Sequence, residues 1–297
     1  METLIALLLA AILGAFGGTG KVERGIEAKL RQDLGRVGEV KVDIRRGFLP
    51  SRSVQLVDIT LADFNASSMP GAGGLQIGGG GDLVGRVKKV AIHARNFRVN
   101  DLPVAKLDVT INEVRYDLWR AVRRRELEVI RVGNSYADAT LKADALTRMI
   151  APRVKQVRNI KLTFGRGELT VTGDAHAGVD IPVKLTCGLA AVGGGKVYVV
   201  DPRAHVSIVP VPTFVVNRLL KEINPLVDLN AGGQGPFELA VRQMRITPRA
   251  LQVHADLHPR KRPPAPPAPP APAPPAAPEV PQPETTAPAL GPDVDDN

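Results

Sequence analysis

The stretch from Glu39 to Arg45 reads EVKVDIR, and its apolar residues occupy every second position. Val40, Val42 and Ile44 alternate with charged side chains, which is the pattern of a strand that buries one face and exposes the other. The period of two therefore predicts β-structure at the start of the folded body.

The alternating pattern continues along the chain. Val54–Phe64 repeats it, with one slip at Leu56–Val57 that predicts a bulge. A glycine-rich stretch, Asn65–Asp82, interrupts it and predicts a flexible loop, because its glycines lack the spacing of a dinucleotide-binding turn. Twelve further short strands are predicted at Val87–Ala94, Phe97–Val99, Ala105–Val114, Glu128–Val132, Ala137–Lys142, Ile160–Phe164, Glu168–Thr172, Ile181–Gly188, Lys196–Val200, Ala204–Val209, Phe237–Ile246 and Ala250–Leu257.

Helical spacing is confined to four segments. Lys21–Leu34 carries apolar residues at strict intervals of four and is followed by Gly35, which favours a helix with a glycine at its C-terminal end. The other three are Tyr116–Arg125, Ala143–Ala151 and Thr213–Ile223. Many short strands without βα alternation predict an α+β, mostly β fold. We expect a curled antiparallel sheet or barrel-like tube with a few amphipathic helices packed on it.

The two ends of the chain differ in composition from the body. The segment 259–297 holds fifteen of the 26 prolines and is predicted to be a disordered Pro/Ala-rich tail. Leu4–Phe16 is an apolar run of thirteen residues, shorter than the roughly 20 that a membrane span requires. It predicts a signal peptide or an N-terminal anchor over residues 1–19. We therefore expect an exported body, residues 20–258, in the periplasm or cell envelope.

The charge of the body indicates an anionic partner. Without the tail, 36 basic residues face 25 acidic ones. Phosphate-bearing lipid and nucleic acid both fit such a balance. Aromatic residues make up only 4% of the chain, too few for the stacking platforms of single-stranded nucleic-acid binders, and this disfavours nucleic acid.

No motif of a known catalytic class occurs. The five histidines are scattered, without a paired-histidine motif on a helix, and His254 and His258 leave a strand toward a proline, so no metal or cofactor is expected. There is no nucleophile elbow. The single cysteine, Cys187, falls on a predicted strand and is interpreted as a small buried residue.

One predicted helix combines tryptophan with arginines. Trp119 lies beside Arg120, Arg123 and Arg124, the composition of a segment that places an indole at the apolar boundary and guanidinium groups on phosphates. The alternative is an ordinary solvated helix face with Trp119 in the core.

A resemblance to a family rests on the C-terminal third. The run VPVPTFVVNRLLKEINPLVDL, Val209–Leu229, joins an apolar helix to an Ile-Asn-Pro break and leads to the last strand pair. Upstream, Ala137–Ile150 is an alternating strand followed by a leucine-spaced helix. With the export signal and the helix before Gly35, the pattern resembles the LmeA-like phospholipid-binding proteins of bacterial envelopes, over roughly residues 20–257.

The resemblance implies a fold similar to tubular lipid-binding domains, with acyl chains in an apolar groove and no catalytic residues. On this hypothesis Phe214, Val215, Leu219 and Ile223 line or gate the groove, while the tryptophan–arginine helix attracts phospholipid headgroups at a membrane surface. The alternative for the apolar residues is a dry core. The alternative function is a structural envelope protein whose proline-rich tail acts as a spacer.

Overall fold

A computed structural model describes residues 22–46, 53–66, 76–77, 83–99, 102–117, 128–154, 157–176, 180–206, 220–221, 223–230 and 237–260. All of them belong to one compact unit that spans Met1–Arg262. The predicted signal at 1–19 lies outside the described residues, as does the predicted tail 259–297 except for Pro259 and Arg260.

Two helices and fourteen strands have described bounds. The helices are α1 (Val22–Leu34) and α2 (Ala143–Ile150). The strands are β1 (Glu39–Arg46), β2 (Ser53–Ala62), β3 (Gln76–Ile77), β4 (Val84–Val99), β5 (Leu102–Asp117), β6 (Glu128–Arg131), β7 (Ser135–Leu141), β8 (Val157–Phe164), β9 (Leu169–His176), β10 (Asp180–Val192), β11 (Lys196–Val206), β12 (Val227–Asp228), β13 (Phe237–Thr247) and β14 (Ala250–Pro259).

The strands form two sheets. The large sheet has the order β1-β2-β4-β5-β7-β14-β13, with β6 joined to β5 and β3 joined to β6. It is curled, and its pairs are antiparallel except for β2–β4 and β3–β6. The small sheet has the order β12-β11-β10-β9-β8 and is antiparallel throughout. The predicted mostly β architecture is confirmed.

Helix α1 covers the β1 edge of the large sheet. Its apolar residues Ile26, Leu30 and Leu34 are buried, as their spacing of four predicts. Gly35 follows with a φ of +69°, the left-handed conformation that ends many helices and that glycine adopts without strain.

Polar side chains of α1 satisfy the free backbone of that edge. The carboxylate of Glu27 accepts a hydrogen bond from the amide of Val42, and the carboxylate of Glu23 accepts one from the amide of Ile44. The guanidinium of Arg31 donates to the carbonyl of Val40. An open strand edge is a template for pairing with other chains, so this helix protects the sheet while it contributes to the core.

The opposite edge, β13, is closed by the small sheet. Asn230 makes two hydrogen bonds to the backbone of Leu239, accepting from its amide at 2.8 Å and donating to its carbonyl at 2.9 Å. The amide of Val241 donates to the carbonyl of Gly194, in the turn between β10 and β11. These contacts join the two sheets at one strand.

Several local predictions differ from the structure. The strands predicted at Lys196–Val200 and Ala204–Val209 form the single strand β11 in the described part of the chain. The predicted helix at Tyr116–Arg125 begins instead as the end of β5, because Tyr116 pairs with Gly85 of β4 and its ring fills the space above that glycine. Residues 118–127 lie outside the described part. The predicted loop Asn65–Asp82 contains the short strand β3, and the strands predicted on either side of Asn96 form the single strand β4.

Within the described residues, no helix combines the length and the apolar character needed to cross a membrane.

Candidate functional site

The inner face of the large sheet is an unbroken apolar surface. Strand pairing aligns two parallel rows of side chains across seven strands, and twelve of the fourteen residues are buried. The first inner row is Val42, Ile59, Ile92, Val109, Ala137, Ala255 and Val241. The second inner row is Val40, Leu61, Ala94, Leu107, Ala139, Val253 and Met244.

Small side chains mark the middle of this face. Ala137, Ala139 and Ala255 lie on the neighbouring strands β7 and β14, and Ala94 lies on β4. A short side chain lets whatever covers the sheet approach the backbone closely. The inner face is therefore deepest near its centre and higher toward β1 and β2, where the rows carry valine, leucine and isoleucine.

An outer row of polar side chains runs between the two inner rows on the opposite face. It consists of Lys41, Thr60, His93, Asp108, Asp138, His254 and Gln243. In this row Asp108 and Asp138 are direct cross-strand partners, and like charges in that position repel each other. Each of the two carboxylates is compensated by a histidine.

The compensating contacts are short. The ring Nδ1 of His93 lies 2.7 Å from an oxygen of Asp108, and Nδ1 of His254 lies 2.7 Å from an oxygen of Asp138. An ionised carboxylate only accepts, so both rings carry their proton on Nδ1. Lys106 also pairs with Asp108. Burial alone would raise the pKa of Asp108, but the hydrogen bonds and charges of His93 and Lys106 outweigh it and hold the pKa below its ordinary value of 3.8.

Two open clefts border the outer face and the junction of the sheets. One, of about 490 Å³, is lined chiefly by polar residues of the outer row and its neighbours, including Gln252 and Arg245. The other, of about 580 Å³, lies between the turn at Gly167 and the end of β13, with Leu189 and Met244 in its wall. Neither cleft is lined mainly by apolar surface, which the acyl-chain groove predicted from the sequence requires.

At one end of the outer face three arginines lie side by side. Arg86 of β4 is the direct partner of Arg115 on β5, which in turn is the partner of Arg131 on β6. We call this set the arginine row. Arg86 has a counterion, because its Nη2 lies 2.5 Å from an oxygen of Glu113. In the described part of the chain Arg115 and Arg131 have none.

The thiol of Cys187 is not available for chemistry. Its side chain is 2% exposed and its Sγ donates to the carbonyl of Leu169 at 3.4 Å. Burial, aided by the charge of Glu168, raises the pKa of Cys187 to about 12, so the thiolate is rare near neutral pH. The interpretation of Cys187 as a small buried residue is confirmed. No cluster of potential metal ligands occurs among the residues that the structure describes.

Most of the predicted site residues lie outside the described residues. This applies to Phe214, Val215 and Leu219 of the predicted groove helix, and to Trp119, Arg120, Arg123 and Arg124 of the predicted headgroup segment. Those predictions stay predictions.

Ile223, the last residue of the predicted groove, is 3% exposed and belongs to the core. Next to it, the side-chain amide of Asn224 makes two hydrogen bonds to the backbone of Val199. Its Oδ1 accepts from the Val199 amide and its Nδ2 donates to the Val199 carbonyl, which ties the Ile-Asn-Pro element to β11. The element that carried the resemblance thus has a clear structural role, since it anchors the chain after the predicted helix.

Sequence reasoning missed the arginine row and the two inner rows as continuous surfaces. Each arginine lies among the first or last three residues of its strand, but the pairing that brings the three together joins residues 29 and 16 positions apart. Register of this kind depends on long-range pairing and has no local signal.

A comparison with protein families finds a match, which covers parts of both sheets. The profile of the LmeA-like phospholipid-binding family matches residues 79–256, from just before β4 into β14. The chain belongs to this family. The match includes β4, β5, β7 and β13, which carry most of the two inner rows, and all three members of the arginine row. Neither the curated proteins nor the solved structures contain a match.

Membership of the LmeA-like family confirms the resemblance read from the sequence and supports a lipid as the ligand. The matched segment begins after α1, β1 and β2. The family's characteristic part is thus the sheet from β4 onward, with the small sheet inserted between β7 and β13.

Proposed function

We propose that the protein binds phospholipid without chemical change and carries or holds it at the bacterial cell envelope. The observation that carries the proposal is the family match over five of the seven strands that form the apolar inner face. Acyl chains lie along the inner rows, and the headgroup lies at a basic rim.

The apolar inner face has the extent that an acyl chain needs. Seven neighbouring strands at about 4.8 Å spacing span nearly 30 Å, which exceeds the length of a common fatty-acid chain. Each CH₂ removed from water contributes about 0.8 kcal/mol. Because the described inner-row residues are already buried, lipid must replace whatever covers them. We expect the helix at 213–223 to be that cover or part of it, as its apolar pattern predicts.

No covalent step is included in the proposal. The sequence contains no nucleophile elbow or metal-binding motif, and the one thiol is buried with a raised pKa. The family description refers to binding rather than to a reaction. The residues therefore have the roles of packing, positioning and charge compensation.

Location at the envelope rests on the apolar run at Leu4–Phe16. Fusing residues 1–25 to a reporter that is active only after export tests it. An active reporter supports envelope localisation, while a reporter retained in the cytoplasm contradicts it.

A structural role at the envelope is the second candidate, favoured by the proline-rich segment 259–297. A polyproline-type chain extends about 3 Å per residue and suits a spacer. In that case the body is an anchor whose interior is filled by its own side chains.

Lipid uptake separates the two functions. The full chain is purified without detergent, extracted with organic solvent, and offered a fluorescent phospholipid. Co-purified phospholipid and saturable uptake support binding; a lipid-free protein that takes up none supports the structural role. Leu219→Glu places a charge on the predicted cover and is expected to abolish uptake while the circular dichroism stays β-like. Lys221→Glu, two residues along the same predicted helix, is the matched control and is expected to retain uptake.

A further inference from the structure

The arginine row holds more positive charge than the ion pairs of the described residues compensate. Guanidinium groups directly opposite one another on neighbouring strands repel, and Arg86, Arg115 and Arg131 form two such pairs in succession. Glu113 compensates Arg86, whereas Arg115 and Arg131 have no ion pair in the described part of the chain. An arrangement that opposes folding in this way is typical of a site that receives an anion.

The surroundings add further positive charge. Lys88 and Lys89 follow Arg86 on β4, and both are exposed. Besides Glu113, β5 carries one acid at this end, Asp117, which is 4% exposed and already has an interaction partner. This end of the outer face is therefore strongly basic, and it stays accessible because Arg115 and Arg131 are exposed.

Exposed aliphatic side chains lie beside the arginines. Leu83 and Val84, at the start of β4, are 39% and 50% exposed, among the few large apolar residues in the described part that face solvent to this extent. Val84 is two positions before Arg86 and so projects on the same side of the strand. Apolar side chains adjoining a basic cluster are typical of a surface that enters the headgroup region of a bilayer.

The opposite end of the same sheet provides a contrast. Arg95 and Arg98 are exposed there, but acidic Asp63 lies close by, its amide bonded to the carbonyl of Arg95. Glu39, also exposed, begins β1 at this end. Positive charge at this end is thus mixed with negative charge, and it offers no concentrated attraction for an anionic surface.

We propose that the end of the large sheet carrying Arg86, Arg115, Arg131, Leu83 and Val84 docks on an anionic phospholipid bilayer, with the arginines on lipid phosphates. The partner is a bilayer rather than a nucleic acid because the aliphatic pair gains from an apolar phase and not from a phosphate backbone. Arginine suits this task because its planar fork binds phosphate oxygens in pairs. The inference rests on the proposed function in one respect: a lipid carrier must meet the membrane that supplies its cargo.

Vesicle binding tests the assignment. The full chain and the double variant Arg115→Ala/Arg131→Ala are titrated with vesicles of phosphatidylcholine and phosphatidylglycerol in equal amounts, at about 0.1 M salt, and with phosphatidylcholine alone. Each basic residue near an anionic surface changes binding by a factor of about five, so the double variant is expected to bind about 30-fold more weakly to the mixed vesicles. On phosphatidylcholine alone the two proteins are expected to bind alike and weakly.

The matched control is Arg95→Ala/Arg98→Ala, which removes the same two charges from the other end of the sheet. We expect it to bind the mixed vesicles within about twofold of the unchanged protein, since charges beyond the roughly 10 Å screening length contribute little. Equal losses in both variants would indicate diffuse attraction and overturn the assignment, as would no loss in either. A loss of binding to duplex DNA without a loss on vesicles would also overturn it.

Extraction of bound lipid from the same preparations separates the two proposals. If the unchanged protein holds no phospholipid but the arginine variant still loses vesicle binding, the docking surface stands and the carrier function fails. If the variant binds vesicles normally and the protein holds phospholipid, the carrier function stands and the docking surface is wrong.

Discussion

The inner and outer faces of the large sheet are built from adjacent residues and yet differ in burial, polarity and charge. Along β5, Leu107 and Val109 belong to the inner rows, and Asp108 between them belongs to the outer row. The inner rows are apolar on all seven strands, while the outer row compensates two facing carboxylates with two histidines. Burial dominates one face and electrostatics the other.

This contrast shows how the two faces divide stability, lipid contact and net charge between them. The inner face contributes stability through removal of apolar area from water, about 25 cal/mol for each Å², and this same area is what an acyl chain would contact. The outer face contributes little stability for each residue, because exposed ion pairs are worth 1 kcal/mol or less. It is therefore free to carry the net charge that a membrane partner requires.

The largest expected effect comes from truncating the inner face. Leu107→Ala removes a fully buried side chain at the centre of β5, and large-to-small changes of this kind cost about 2–5 kcal/mol. Thr110→Ala, three positions along on the outer face, is the control and is expected to cost less than about 1 kcal/mol. Urea denaturation measures both. Similar costs at the two positions would mean that the faces do not differ as described.

An intermediate effect is expected at Gly85, where the ring of Tyr116 leaves no room for a side chain. A Cβ at Gly85 would come within 2.3 Å of the Tyr116 ring, so Gly85→Ala forces the ring to move and is expected to cost about 1–3 kcal/mol. A Cβ added at Gly25 of α1 would meet no atom within 4 Å, so Gly25→Ala is expected to stabilise the folded protein by about 0.5–1 kcal/mol. Thermal unfolding of the two variants should shift in opposite directions; a shift in the same direction would contradict this account of the Gly85–Tyr116 pair.

The smallest effect concerns acid on the outer face. Because the pKa of Asp108 is lowered in the folded state, its contribution to stability is present above the ordinary value of 3.8 and is lost as the pH falls through the lower folded value. Asp108→Asn removes that contribution, so the variant is less stable at neutral pH and the difference closes below about pH 4.

Unfolding free energies measured from neutral pH downward check this. Asp43→Asn, whose side chain is half exposed and pairs only at 3.9 Å with Arg45, is the control and is expected to differ little from the unchanged protein at neutral pH. A gap for Asp108→Asn that stays constant down to pH 3 would show that the Asp108–His93 contact is absent.

Local patterning was enough to predict most elements. The alternation at Glu39–Arg45 predicted β1, the spacing of four predicted α1, and the strand at Phe237–Ile246 differs from β13 by one residue. These succeed because side-chain periodicity directly reports which face is buried. The bulge predicted at Leu56–Val57 lies at Gln55, opposite Arg45–Arg46, an error of one position.

What failed depends on pairing between distant segments. The parallel alignment of β2 with β4 crosses the glycine-rich stretch, and nothing in either strand specifies its direction. The helix predicted from Tyr116 was wrong at its start because an aromatic–glycine pair with Gly85 favours strand there. The clamp of Asn230 on Leu239 also has no local signature, because an asparagine in a turn is common.

The arginine row shows the same limit at a candidate site. Arg86, Arg115 and Arg131 appear in the sequence as ordinary strand residues, and only register brings them together. The contiguous arginines after Trp119 attracted attention instead because a cluster along the sequence is visible without a fold. Sites assembled across a sheet are therefore missed more readily than sites on one helix.

Photo-cross-linking with a phospholipid that carries a diazirine in its acyl chain tests the central claim most directly. After illumination of the full chain and digestion, mass spectrometry locates the modified side chains. We predict modification of inner-row residues on β5, β7 and β14, among them Val109, Ala137 and Val253, with competition by unlabelled phospholipid. Labels confined to the outer row, or labelling that unlabelled phospholipid does not reduce, would contradict a lipid held by the inner face.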